Sequence, residues 1–185
     1  EEHPENADGS INISQWLDRL NVDDDVDKPI LQHACELTLE AERCSQRTEF
    51  SWGKNGSCFR IGLEMAEILA DLQLDEETLT AAILYRSVRE QKLCLEVVKE
   101  QFGETVAGLI DGVLRMAAMS RVVSGDVPVL GQASGQKENI RKMLVALVDD
   151  VRVALLKLAE RTCAIRTVKN DPKRRYRVAR EVFDS

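Results

Sequence analysis

The chain predicts an all-α fold, a helical bundle of about eight to nine helices with no substantial sheet. Three observations carry that expectation. Aromatic residues make up 4% of 185 positions while leucine, valine, isoleucine and alanine are plentiful, which favours helix-on-helix packing over a sheet sandwich. Apolar residues recur at alternating spacings of three and four, the period of a half-buried helix. Ser, Asp, Gly and Pro punctuate these runs where helices start and stop. The length suits one domain and the aliphatic content suffices for one core, so a flexible polar segment is expected over 1–13 and a single domain over 14–185.

In chain order, a short helix begins near Ser14, whose hydroxyl can cap the free amides ahead of Trp16, Leu17 and Leu20. The acidic run Asp23-Asp24-Asp25 breaks it. Asp27 caps the next helix, with Pro29 in a first turn where its missing amide would be unpaired anyway, and Ile30, Ala34, Leu37, Ala41 and Cys44 form a stripe facing the core. The loop Phe50-Ser51-Trp52-Gly53-Lys54-Asn55-Gly56-Ser57 has two glycines, but neither the residue order nor the preceding strand of a phosphate loop, and reads as a tight connection.

A strongly apolar helix follows over about 58–72. Asp75 caps a helix whose first turn holds Glu76 and Glu77, placed to favour the positive end of its dipole, and which carries Tyr85 and Arg86. A shorter helix over 95–102 ends at Gly103, which can take the left-handed closing conformation, and another runs over about 104–119. Breakers and weak periodicity over 120–135 predict a long mobile loop. Helical spacing resumes over 137–147, Asp149 or Asp150 caps a helix carrying Val151, Leu155, Leu158, Thr162 and Ile165, and Asp171-Pro172 opens a last, basic helix.

A net charge of −7 argues against nonspecific nucleic-acid binding by the whole surface. A local basic face works against that average: Lys157, Arg161, Arg166 and Lys169 lead to Lys173, Arg174, Arg175, Arg177 and Arg180. A solvated or interdomain surface is the plainer reading, and an RNA or nucleotide contact the sharper one. The five cysteines are scattered, odd in number and form no Cys-x-x-Cys pair, as reduced thiols of a cytoplasmic protein would. No run of ~18 apolar residues predicts a membrane span, and the acidic start is unlike a secretory signal. Lacking an initiator Met and stopping in a helix-like stretch at Ser185, the chain reads as a trimmed piece with more protein following.

Several short phrases in one order carry a family resemblance: Ile68-Leu69-Ala70-Asp71-Leu72; Phe102-Gly103 followed by Ile110-Asp111-Gly112-Val113; Glu138-Asn139 with Arg141-Lys142-Met143-Leu144; and Asp150-Val151-Arg152-Val153 leading to Lys157-Leu158-Ala159. Over about residues 28–184 the chain resembles the amino-terminal hydrolase domain of the long RelA/SpoT family, enzymes that make and degrade (p)ppGpp. The resemblance implies an HD-type helical fold, in which one His, a His-Asp pair and a later Asp hold a manganese ion. Imidazole and carboxylate suit such a cation, which lowers the pKa of bound water so that hydroxide can attack phosphorus.

By the resemblance, the first His falls on Ile61, the His-Asp pair on Tyr85-Arg86 and the late Asp on Glu160, which alone could bind metal. The following Glu-Asp pair falls on Arg89-Glu90, with one charge reversed. The nucleotide-binding basic pair falls near Trp52-Gly53, with Lys54 displaced, and a later Asn falls on Ala164 while Thr167 is kept. A guanidinium at ~4 Å from a dication, at an effective dielectric near 20, opposes it by about 4 kcal/mol per unit of charge. The manganese site is therefore expected to be lost, leaving no cofactor, and Arg86 is expected either to pair with Glu160 in its place or to reach solvent. His33 reads as a surface or satisfied helix residue, Cys163 as a packed thiol, and Trp16, Trp52, Met65, Met116 and Met143 as packing.

The resemblance thus implies a catalytically silent hydrolase-like domain that regulates a following synthetase domain, whose parent makes (p)ppGpp by pyrophosphate transfer from ATP to GTP or GDP in the stringent response. The alternatives are residual manganese-dependent 3'-pyrophosphohydrolase activity at Glu160 and Glu90, or a module touching RNA or the ribosome through the basic last helix. Oligomeric state is left open.

Overall fold

The computed structural model of the chain describes residues 3–7, 9–23, 26–46, 57–123 and 150–167. Among them the backbone forms seven helices: α1 (Ile13–Arg19), α2 (Lys28–Gln46), α3 (Cys58–Asp71), α4 (Glu76–Arg89), α5 (Leu95–Phe102), α6 (Glu104–Val123) and α7 (Val151–Thr167). Extended pairing among these residues is limited to one isolated antiparallel bridge, Glu5 with Ile11, so the fold is all-α. The helices expected over 137–147 and from Asp171 lie outside the described residues, as do Phe50 to Gly56 and the loop beyond Val123. Contacts divide the chain into two compact units, Glu1–Ile110 and Asp111–Ser185.

In the first unit, where composition predicts a flexible end, the described residues between His3 and Asn12 instead fold back on one another. Asn12 N–H donates to Pro4 O over 2.8 Å and Asn6 N–H to Ser10 O over 2.7 Å, with Gly9 at φ +80° between them. Contacts with α3 account for the difference: Glu5 pairs with Arg60 at 2.8 Å, and His3, nearly buried, lies 3.6 Å from Glu67. Asn12, not Ser14, caps α1, its side chain accepting from Gln15 N–H.

α4 is the central element of this unit and packs against α3, α2 and α5. Asp75 caps it as expected, accepting from Thr78 N–H, and Glu76 and Glu77 occupy its first turn. Leu79 and Ala81 through Tyr85 are buried on all sides, each large side chain contributing about 1.5–3 kcal/mol of apolar burial. α3 reaches α4 closely because Gly62 has no side chain; a Cβ there would stand 2.5 Å from the carbonyl oxygen of Ile83. α2 buries Leu31, Ala34, Cys35, Thr38 and Ala41, a face rotated by about one position from the expected stripe, and Cys44 is exposed. Both stripes are apolar, so spacing alone does not choose between them. α5 closes at Gly103, with φ +91°, as the sequence predicts.

α6 runs past the expected end near Met119 to Val123, since nothing breaks the helix before Ser124-Gly125. In the second unit, Gly112 lets the α6 backbone meet Val153 of α7; a Cβ there would lie 2.8 Å from a Val153 methyl. Asp150 starts α7, its carboxylate accepting from Arg152 N–H at 2.9 Å and Arg152 Nε at 2.8 Å. The Arg152 hydrogen bonds hold that carboxyl below the usual range despite some burial. Val153, Leu156, Ala159 and Cys163 form the buried face of α7, while Val151, Leu158 and Ile165 from the expected stripe are exposed.

Candidate functional site

The start of α3 is assembled around a carboxylate from α2. Glu42 accepts from the Ser57 hydroxyl and from Cys58 N–H, each at 2.7 Å, while the Ser57 side chain accepts from Arg60 N–H at 3.3 Å. Free amides of the first turn are thereby satisfied and an acidic charge sits at the positive end of the helix. Cys58, the first residue of α3, is thus fixed with its thiol buried.

At its other end, α4 closes through a turn in which Gln91 takes the left-handed φ of +59° and Lys92 N–H donates to Ser87 O over 2.9 Å. That turn returns Lys92 towards α3. Its Nζ donates to Cys58 Sγ at 3.1 Å and lies 3.4 Å from Glu90 Oε2 and 4.0 Å from Glu42 Oε1. The Cys58 thiol in turn donates to Glu90 Oε2 at 3.0 Å, and Arg86 Nε donates to Glu90 Oε1 at 2.5 Å across one turn of α4. Two acids, Glu42 and Glu90, and two bases, Arg86 and Lys92, therefore form one half-buried network of balanced formal charge, in which Glu90 and Lys92 touch the thiol itself.

The network sets the protonation of its members. Burial, and then the hydrogen bond to Glu90, push the Cys58 thiol up to about 11, so it serves as a neutral donor. Burial opposes the charge on Glu90, but the Cys58 hydrogen bond and the Arg86 charge outweigh it and hold the carboxyl below its ordinary value. Lys92 likewise loses by burial and gains more from Cys58, Glu90 and Glu42, which raises it.

Among the sequence-predicted site residues, Ile61 is half-buried one turn along α3 from Cys58, and Tyr85 is buried on α4. Arg86 and Glu90 are brought together; Arg89 is exposed on the last turn of α4. Glu160 belongs to the other unit, where its carboxylate is buried and accepts from Lys157 Nζ at 2.7 Å. Arg86 and Glu160, proposed as a pair on sequence grounds, each have an opposite charge within their own unit. Cys163 is buried, as a packed thiol should be. His33 is exposed, 2.9 Å from Gln101 Oε1 and stacked on Phe102, which makes it a satisfied surface residue. Trp52, Lys54 and the basic residues Lys173, Arg174, Arg175, Arg177 and Arg180 lie outside the described residues.

Residues 34–184, more than half of the chain, match the HD domain family. The chain belongs to that family. Over 169 residues this HD domain is 33% identical to the GTP pyrophosphokinase of Escherichia coli K12, covering 91% of this chain and 21% of that protein. It is 34% identical over 174 residues to the GTP pyrophosphokinase of Photobacterium angustum, covering 92% of this chain and 22% of that protein. With the bifunctional (p)ppGpp synthase/hydrolase SpoT of Escherichia coli K12 it shares 36% over 121 residues, covering 65% of this chain and 16% of that protein. The chain spans about a fifth of the length of the GTP pyrophosphokinases it matches.

Sequence reading missed Glu42, Ser57, Cys58 and Lys92 as parts of this HD domain's charged cluster. The four-residue spacing of Arg86 and Glu90 was a usable signal. Nothing local ties Lys92 to Cys58, because a left-handed turn and the α3/α4 packing make that contact. Among the described residues no group of three or more His, Cys, Asp or Glu is arranged to hold a metal ion, and no helix is long and apolar enough to cross a membrane.

Proposed function

We propose that this HD domain is catalytically silent and regulates a following RelA-type synthetase domain, in a cytoplasmic parent that makes (p)ppGpp by pyrophosphate transfer from ATP to GTP or GDP. One observation carries the reading: both acidic residues left to a residual metal site already face bases. Glu90 holds Arg86 and Lys92, and Glu160 holds Lys157. The positions of the other ligands carry Ile61, Tyr85 and Arg86, so the donor set does not fit a divalent cation. Arg86 would add about 4 kcal/mol of repulsion per unit charge at ~4 Å. No metal-activated water is assigned to this domain.

The regulatory role is supported by Val151, Leu158 and Ile165, exposed on one stripe of α7 at seven-residue spacing and suited to packing against a neighbouring domain. Regulation requires that such docking favour one arrangement of the synthetase over another. Comparing synthesis by the parent with and without this domain tests it. Equal rates in starved and fed conditions would end the regulatory reading.

A second reading, residual 3'-pyrophosphohydrolase activity, is favoured by the similarity to a relative named as a synthase/hydrolase. Incubating the chain with manganese and ppGpp separates the two. The silent domain releases no pyrophosphate and retains no manganese by elemental analysis; turnover that depends on Glu90 and Glu160 would replace the first reading with the second.

A further inference from the structure

We propose that Cys58 and Lys92 are a redox-switched pair, joined on exposure to hydrogen peroxide by a covalent Sγ–Nζ sulfenamide that thiols undo. The link would fasten the start of α3 to the turn after α4. The inference goes beyond the regulatory reading and does not depend on it. Cys58 is not an isolated thiol: it donates to Glu90 Oε2 at 3.0 Å and accepts from Lys92 Nζ at 3.1 Å. One sulfur thus touches both a proton acceptor and an amine. The two residues are 34 positions apart, and the left-handed Gln91 brings Lys92 back to α3. The flexible four-carbon stem of Lys92 lets nitrogen close on sulfur while the backbone stays in place.

Cys58 itself is buried, but Glu90 and Lys92 keep 28% and 21% of their side chains exposed, so the network meets solvent beside the sulfur. A molecule little larger than water has only to part these two side chains to reach Sγ. A neutral thiol with a pKa of about 11 reacts slowly, which spares Cys58 until peroxide rises.

The chemistry balances with one peroxide. Sγ attacks a peroxide oxygen and the O–O bond breaks; the thiol proton passes through Glu90 to the leaving hydroxide, giving a sulfenic acid and water. Lys92 Nζ then gives its ammonium proton to the Glu90 carboxylate, 3.4 Å away, and attacks the sulfenic sulfur. The S–N bond forms as the S–O bond breaks, and the departing hydroxide takes a second proton from nitrogen to leave as water. Sulfur is oxidised by two electrons and peroxide is reduced by two. Sulfenic acids condense with nitrogen in this way.

The test treats the 185-residue chain, carrying Cys94→Ser, with a small excess of hydrogen peroxide, blocks remaining thiols, and digests without reductant for mass spectrometry. Cys94 is replaced because it stands two residues after Lys92, where a disulfide with Cys58 would lose the same two hydrogens; serine suits its place as the N-cap of α5. Exposed Cys44 reports the dose. The main oxidised form of Cys58 is expected in a peptide joined to Lys92 and lighter by two hydrogens than the two peptides apart. Dithiothreitol should separate them and restore the thiol. Melting of the oxidised chain is expected to rise by about 5–10 °C, because the link closes a loop in the unfolded chain, and to fall back on reduction. Lys92→Arg, which keeps the charge and removes the amine, should abolish both effects and leave Cys58 to oxidise further. Cys58 recovered as free thiol, as sulfinic acid or in a disulfide once Cys44 is oxidised would overturn the proposal. The joined peptide and its reversal are read without Lys92→Arg, so they stand even if that variant fails to fold.

Discussion

Arg86 donates to Glu90 across one turn of α4, 2.5 Å from Nε to Oε1, and Glu90 also accepts from the thiol of Cys58. The carboxylate therefore joins the end of α4 to the start of α3. A half-buried i,i+4 pair with a charge-assisted hydrogen bond lies above the range of an exposed helix pair, and its coupling is expected to be about 1 kcal/mol. A double-mutant cycle with Arg86→Met and Glu90→Gln, read by urea unfolding, measures it. A coupling indistinguishable from zero would mean that the contact adds nothing to the fold.

The same carboxylate gives the domain an acid limb. Glu90 has its folded pKa lowered, so its contribution is fully present above the unfolded value of about 4.3 and is lost as pH falls through the folded pKa. Asp150 acts with the same sign through Arg152. The stability difference between the native chain and Glu90→Gln should therefore shrink as pH is lowered from about 7 to about 3. Unfolding curves at several pH values check this, and a constant difference would contradict the linkage.

How far the sequence reaches depends on whether local chemistry or packing decides. Gly103 ends α5 and Asp75 opens α4, as the residue types alone require. Asn12 and Ser14 are both good caps, and the choice falls to Asn12 because its N–H is tied to Pro4 in a turn held on α3. On α2 and α7, two apolar stripes compete and only the neighbouring helices choose one. Arg86 and Glu90 stand four residues apart and their pairing is legible locally, whereas the Glu42–Cys58–Lys92 contacts needed three separate segments to meet.

Two glycines test the packing directly. Replacing glycine by alanine inside a helix ordinarily gains up to about 1 kcal/mol. At Gly108 of α6, exposed and with nothing within 4 Å of a new Cβ, that gain is expected. At Gly62 the Cβ would press on the Ile83 carbonyl at 2.5 Å, and backbone cannot swing aside as a side chain can. Gly62→Ala should therefore destabilise by about 1–3 kcal/mol, opposite in sign to Gly108→Ala. Thermal unfolding of the two variants decides it; a stabilised Gly62→Ala would show that α3 and α4 are less closely apposed.

Thiol chemistry reports on the cluster at the start of α3. All five cysteines are free, with Cys44 and Cys94 exposed and Cys35, Cys58 and Cys163 buried. A disulfide reagent at about pH 8 should react quickly with the two exposed thiols and slowly with the rest, since a thiol with a pKa of about 11 is only about 0.1% thiolate there. Glu90→Gln removes a carboxylate that raises Cys58 while leaving Lys92, which lowers it, so Cys58 should label faster in that variant. Lys92→Met should have the opposite effect, because the thiol keeps its acidic neighbour and loses its basic one. Rates assigned by peptide mapping distinguish these outcomes: equal acceleration in both variants would mean that loosening of the helix start, and not charge, governs the thiol.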